Sequence, residues 1–176
     1  MTEVKLVAVG DILLQTKQGK HPFKEIEHLL KEKDLLFGNL ETPLTTQKSR
    51  NQKLFSLSSP PEVVGYLKDI KFDVVNIANN HILDCGPEGY LETIRALDQN
   101  SIQYIGGEKT GKDTPSVLIE RGGVIFGFLG YSMSSYHAYQ GMHLNKEEER
   151  GVLRDIDLLK KQCDAVSYTH LRAHET

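Results

Sequence analysis

Apolar residues along the chain fall into short β-branched or aromatic runs separated by segments in which they recur every three or four positions, the pattern of strands alternating with amphipathic helices. Residues 4–9, 35–37, 73–78 and 102–105 predict four short buried strands. Between them, Phe23, Ile26, Leu29 and Leu30 mark one helical face. Ser59-Pro60-Pro61-Glu62 opens a second helix carrying Val63, Val64, Tyr66, Leu67 and Ile70, and residues 88–97 form a third that stops near Asn100-Ser101. Residues 116–120 and 124–130 then flank Arg121-Gly122-Gly123, which predicts a hairpin. A charged helix over residues 146–163 turns Val152, Ile156, Leu159 and Cys163 inward before Asp164-Ala165 starts another strand. Residues 54–57 predict a further short strand; residues 45–53, 110–115 and 132–141 predict loops. A parallel part followed by an antiparallel ribbon makes this an α/β chain with a mixed sheet, not a pure doubly wound one.

Three of the strands run straight into polar residues. The first meets Gly10-Asp11, the second Gly38-Asn39-Leu40-Glu41-Thr42-Pro43, and the third Asn79-Asn80-His81, with Asp84 and Gly86-Pro87 just beyond. The carboxyl edge of such a sheet is where open α/β folds bind ligands. Asn supplies an amide oxygen, His a nitrogen that titrates near neutrality, and Asp a charge to orient it, a set suited to a metal or a phosphate. Each residue also has a purely structural use: Asp11 can cap a turn, Glu41 can be a solvated acid, Asp84 can cap the next helix, and the asparagines can take turn conformations. Asn39 and Glu41, two apart in extended backbone, share one face while Leu40 takes the other.

A length of 176 residues suits a single domain, and a net charge of -3 without a Lys/Arg cluster gives no footprint for nucleic acid or an anionic membrane surface. Lys48, Arg50 and Lys53 lie in a polar loop that can overhang the strand ends, either solvated or holding an anion. Cys85 and Cys163 make no disulfide framework and fit a reducing compartment. No export signal or membrane anchor precedes the first strand, so a cytoplasmic location is the expectation. His21, His28, His137 and His143 stand outside any cluster and are expected at the surface. The phosphate loop G-x-x-x-x-G-K-[ST] is absent, which counts against a flavodoxin-like nucleotide binder.

Gly10-Asp11, Gly38-Asn39-Leu40-Glu41 and Asn79-Asn80-His81 with Asp84-x-Gly86, taken together, resemble the bacterial capsule synthesis family, the CapA/PgsA type proteins of poly-γ-glutamate production. The likeness extends through Glu41-Thr42-Pro43-Leu44, Ile105-Gly106-Gly107, Gly130-Tyr131 and Cys163-Asp164, nearly the whole chain up to about Ala165. Such proteins are similar to calcineurin-type metallophosphoesterases. The resemblance therefore implies a layered metallophosphatase-like α/β sandwich in which Asp11, Asn39, Glu41 and Asn80 are ligands of one or two divalent metals. It implies His81 as the catalytic residue beside the substrate and Asp84 as its orienting partner. The substrate it implies is a phosphate ester or an anionic γ-glutamyl polymer, with other capsule synthesis components as partners; the alternative is a non-catalytic component that binds or exports the polymer. Two departures stand out: Leu13 occupies the position of a His in the phosphoesterases' first motif, and Asn39 and Glu41 replace their second acidic motif. Related proteins are often membrane-associated or extracytoplasmic.

The segment 166–176 resembles the translation of a transposase-type sequencing adapter, codon by codon, and is expected to be a non-native tail in which the spacing of His170 and His174 is accidental. Residues 1–165 are then the N-terminal part of the domain, truncated at its C-terminus. The His-Trp-Gly and Gly-His-x-Pro-His motifs of the family's second half are absent, and weak metal affinity and impaired activity are expected.

Overall fold

The computed structural model describes residues 3–15, 20–49, 56–109, 112–114, 116–132 and 149–171. Strands β1 (Leu6–Ile12), β2 (Leu35–Leu40), β3 (Val74–Asn76) and β4 (Gln103–Ile105) form an all-parallel sheet in that order. The connections carry helices α1 (Glu27–Lys31), α2 (Val64–Ile70) and α3 (Gly86–Gln99), as parallel neighbours require. A short antiparallel pair, β5 (Gly107–Lys109) and β6 (Lys112–Thr114), leads to a second sheet. There β7 (Ser116–Arg121) and β8 (Val124–Ser132) are antiparallel, and β9 (Ala165–Leu171), entered from helix α4 (Glu149–Leu159), runs parallel to β8.

Strand alternation sorts the side chains into layers. Leu36, Leu40 and Val75 pack under Leu67, Ile70, Tyr90 and Leu97 of the helices, while Leu35, Phe37, Val74 and Ile105 meet Ile119, Phe126 and Phe128 of the second sheet. Leu129 and Tyr131, on the other face of β8, meet Val152 and Leu159 of α4. The order is helix, sheet, sheet, helix. Strand β2 lies between two cores and is buried throughout, each Leu or Phe stabilising by about 1.5–3 kcal/mol through loss of water contact.

The hairpin turn sets the direction of the second sheet. Gly122 and Gly123 both take positive φ, 60° and 82°, as a tight two-residue turn demands. Next to it, Arg121 Nη2 donates to Asp73 Oδ1 at 2.7 Å, and Asp73 Oδ2 accepts from the Leu36 amide at 2.8 Å. This contact pins the turn at the amino ends of β2 and β3, so β8 runs toward their carboxyl ends. Near its end, a Cβ on Gly130 would overlap Asn76 Oδ1 and sit 3.0 Å from Ile105, so only glycine lets the sheets close there.

Several expectations are corrected. β1 is not a buried strand: it is an edge strand with alternating exposure, it extends through Gly10-Asp11 to Ile12, and its register shifts between Ala8 and Asp11. β2 continues through Asn39 to Leu40 instead of stopping at Phe37, because its neighbours pair with it that far. The first helix begins as a 3-10 turn over Lys24–Ile26, which alters the helical phase: Phe23 and Leu30 are buried, but Ile26 and Leu29 are 42% and 60% exposed. His21 is half-buried, its ring edge-on to Tyr66 at 4.8 Å. Residues 112–114 form β6 where a loop is expected. Residues 56–58 are not a strand; residues 54–55 and the loop 133–141, with His137, lie outside the described residues, as do Arg50, Lys53 and His143.

The strand expected from Asp164-Ala165 forms as β9, and Asp164 fastens its start, accepting from the Ile125 amide at 2.8 Å. β9 runs on through residues 166–171 of the adapter-like segment; its pairing with β8 is main-chain bonding, which asks of the side chains only that they suit a pleated strand. Among the described residues no helix is long and apolar enough to cross a membrane.

Gly130→Ala is expected to lower stability by about 1–3 kcal/mol through overpacking against Asn76. Urea unfolding would show it as a lower midpoint at unchanged slope; an unchanged midpoint would mean that the sheets separate there without cost.

Candidate functional site

Parallel pairing in register places Asp11 beside Asn39 and Asn39 beside Asn76, one from each of β1, β2 and β3. Their side chains join in a row. Asn39 Nδ2 donates to Asp11 Oδ1 at 2.8 Å, and Asn76 Nδ2 donates to Asn39 Oδ1 at 2.9 Å. The amide orientations are forced: Asn76 Oδ1 accepts from the Ala78 amide at 3.2 Å, which turns its Nδ2 toward Asn39. Asn79 Oδ1 accepts from the amides of His81 and Ile82, at 3.1 and 3.0 Å, so its own Nδ2 faces Leu40 O at 2.8 Å and Asn39 Oδ1 at 3.3 Å. Both lone pairs of the Asn39 amide oxygen are thereby engaged, and in this arrangement Asn39 positions Asp11.

The turn after β3 brings up the ionisable groups. His81 Nδ1 is 2.7 Å from Asp84 Oδ2, and its Nε2 is 3.9 Å from Glu41 Oε1. Asp84 is fully buried; its Oδ2 also accepts from the Leu57 amide at 2.8 Å, and α3 begins with no side-chain cap. The carboxylate thus serves the histidine and the neighbouring loop. It selects the tautomer with the proton on Nδ1 and leaves Nε2 as the working nitrogen. The strand ends therefore bring together Asp11, Asn39, Glu41, His81 and Asp84, with Asn80 on the connecting turn.

Asn76 is not among the expected site residues and Asn79 is expected only as part of the polar strand end, yet both set the geometry of the others. For Asn76 the signal was legible: it stands two residues after Val74 and shares that residue's face. For Asn79 it was not, because its three partners come from the fold of the turn and from β2. The loop after Glu41 is tied down as well. Thr45 Oγ1, the Thr46 amide and Gln47 Nε2 all donate to the Glu92 carboxylate, at 2.6, 2.9 and 2.9 Å, holding its pKa down to about 2. Beside this loop, Thr45, Lys48, Ser49 and Ser58 line a cleft of about 440 Å³. A cavity of about 560 Å³ near Tyr104 and Ser116 lies at the amino end of β4, away from these groups.

Burial, and then the charge of Asp11, raises the Glu41 carboxyl above its ordinary range; His81 pulls it down and Asp84 adds to the rise. In kind, Asp11 and Glu41 fit a hard divalent cation, which would relieve this crowding of negative charge. In number, the described residues fall short: no group of three or more His, Cys, Asp or Glu among them is placed to hold a metal ion.

The sequence pattern of the bacterial capsule synthesis protein family PGA_cap matches residues 5–172. The chain belongs to this family. It is 28% identical over 177 residues to the capsule biosynthesis protein CapA of Bacillus anthracis, covering 91% of this chain and 41% of that protein. It is 29% identical over 136 residues to the PGA biosynthesis protein CapA of Bacillus subtilis (strain 168), covering 70% of this chain and 36% of that one. It thus spans about two fifths of these relatives' length. Among solved structures, a 5'-nucleotidase precursor from Thermus thermophilus superposes with TM-score 0.59 at 12% identity, covering 95% of this chain and 36% of that chain. The layered metallophosphatase-like α/β fold of this capsule synthesis family member follows from that likeness.

Because the raised Glu41 carboxyl binds its proton more tightly in the folded than in the unfolded chain, stability falls as pH rises from its unfolded toward its folded pKa. Glu41→Gln is expected to raise the urea midpoint at about pH 7 and to leave it nearly unchanged at about pH 3, where the carboxyl is neutral in both states. Equal shifts at both pH values would show that charge is not the cause.

Proposed function

We propose that this chain carries the strand-end half of a metal-dependent hydrolase of capsule synthesis, acting on an anionic γ-glutamyl polymer or a phosphate ester. The observation that supports it best is the His81–Asp84 pair, with Nε2 free of Asp84 and facing Glu41 at the carboxyl edge of the parallel sheet. Asp11 and Glu41 would hold the divalent ion, with Asn80 as a further oxygen donor and Asn39 holding Asp11 in place. When bound, such an ion supplies Lewis-acid polarisation and a lowered pKa for water. His81 Nε2 exchanges a proton with the leaving group or the attacking water, and Asp84 steadies the ring and the positive charge it gains. Lys48, on the adjoining cleft, offers a counter-charge to the rest of an anionic substrate.

The shortage of acidic ligands among the described residues favours a second reading, a polymer-binding component without turnover. Electrostatics counts against that reading in the absence of a cation. The charges of Asp11 and Asp84 both oppose ionisation of the buried Glu41 carboxyl, so the site already gathers negative charge. An anionic polymer needs that charge offset before it can approach.

Calorimetric titration with Mn²⁺ and Mg²⁺, together with hydrolysis of p-nitrophenyl phosphate and of γ-glutamyl oligomers, tests the proposal. His81→Ala is expected to cut turnover by roughly 10²–10⁴-fold with metal binding kept, and Asp11→Ala to weaken metal binding itself. Polymer binding that ignores a chelator, with no turnover of either substrate, would favour the non-catalytic reading.

A further inference from the structure

Along β8 the side chains alternate between the two cores, and the face turned to the first sheet carries Phe126, Phe128, Gly130 and Ser132 in succession. The first three each have a counterpart. Phe126 shares its core with Leu35, the Phe128 ring lies 5.2 Å from that of Phe37, and Gly130 meets Asn76, which is paired with Asn39. β8 therefore advances along the first sheet in the direction of its strands, from Leu35 and Phe37 to Asn76 and Ile105. The next step, about 7 Å further along β8, carries Ser132 past Asn76 toward the carboxyl ends of the parallel strands, the end at which the strand-end cluster lies.

Ser132 is 1% exposed, and among the described residues its hydroxyl meets no hydrogen-bond partner. Its neighbour Tyr131 faces the other way, donating to Asp155 Oδ2 at 2.9 Å. A buried hydroxyl that bonds to nothing is a net cost to the folded chain unless something else uses it. Strand alternation places this one on the face between the sheets, at the end of the parallel sheet that carries Asp11, Glu41 and His81.

We infer that Ser132 is the second sheet's binding residue for the site, its hydroxyl donating a hydrogen bond to an oxyanion, a carboxylate or phosphoryl oxygen, held against the Asp11–Glu41–His81 cluster. The inference rests on the proposed function, since it takes the same ligand. It adds a group from outside the parallel sheet: the anion lies between the strand ends of one sheet and the last residue of β8 in the other. Ser132 supplies no charge and no nucleophile. It selects for an acceptor at one point of the cleft, a preference the carboxylates cannot provide.

The test measures binding of inorganic phosphate and of a γ-glutamyl oligomer, each with Mn²⁺ present, to the full chain and to Ser132→Ala, Ser132→Cys and His81→Gln. Ser132→Ala is expected to weaken one or both anions roughly tenfold, the size of one hydrogen bond to a charged group, and the arm that responds identifies the carboxylate or the phosphoryl source. Ser132→Cys, similar in size but a weak donor, is expected to lose as much. The melting temperature of Ser132→Ala without ligand is expected to hold or rise, whereas a structural hydroxyl would lower it. Unchanged affinity in both Ser132 variants, with His81→Gln impaired, would overturn the role of Ser132 and leave the proposed function standing. Wild-type affinity in Ser132→Cys would show that shape and not donation matters, and would overturn it too. No binding of either anion to the unaltered chain would overturn the proposed function and this inference together.

Discussion

The in-register row Asp11–Asn39–Asn76 is the constraint on which the rest of the structure depends. Asn39 and Asn76 are buried between two sheets, where an amide without partners costs about 1–3 kcal/mol, so their donors and acceptors have to be matched. The match requires the three strands to be parallel and in phase to within one residue. It also requires Asn79 to turn its Nδ2 inward, which organises the turn that presents His81. Gly130 follows from the same packing, because Asn76 occupies the space of any side chain there. A slip of one residue in β2 would move Asn39 to the helix side and leave Asp11 without its donor.

Rigidity at this level matters for chemistry. His81 is held from three directions: its ring by Asp84, its amide by Asn79, and its turn by the Ala78 and Ile82 contacts of the neighbouring asparagines. Asp84 in turn links the turn to Leu57 and the loop before α2. Burial of Glu41, and then the negative charge gathered around it, is the unfavourable part of the design, visible in its raised pKa. Cores above and below the sheet sustain that cost, and burial far from the site is what makes a crowded set of carboxylates tolerable in the folded chain.

Belonging to the capsule synthesis family and sharing a fold with a 5'-nucleotidase precursor at 12% identity are compatible for a physical reason. Layer order and strand register depend on the spacing of apolar residues, which many sequences satisfy, whereas chemistry depends on a few polar residues at the strand ends. Here those ends carry amides where an acidic pair would be a stronger metal trap, and among the described residues no group of three or more His, Cys, Asp or Glu is placed to hold a metal ion.

The sequence by itself determined the alternation of strands and helices, the hairpin at Gly122-Gly123, and the polar strand ends at Asp11, Asn39, Glu41 and His81. Short-range periodicity and turn chemistry suffice for these, because each is decided within a few residues of chain. It did not reveal that β1 is an edge strand, since edge and centre differ only in what lies beside them. Nor did it show that the first helix begins with a 3-10 turn, beside which Phe23 packs against Phe72. Tertiary structure alone decided the roles of Asn76 and Asn79 and the burial of Ser132, and brought the Asp84 carboxylate to His81 and the Leu57 amide. In each case the deciding partner lies on another strand, sheet or turn, and hydrogen bonding between buried groups is settled only when those elements meet.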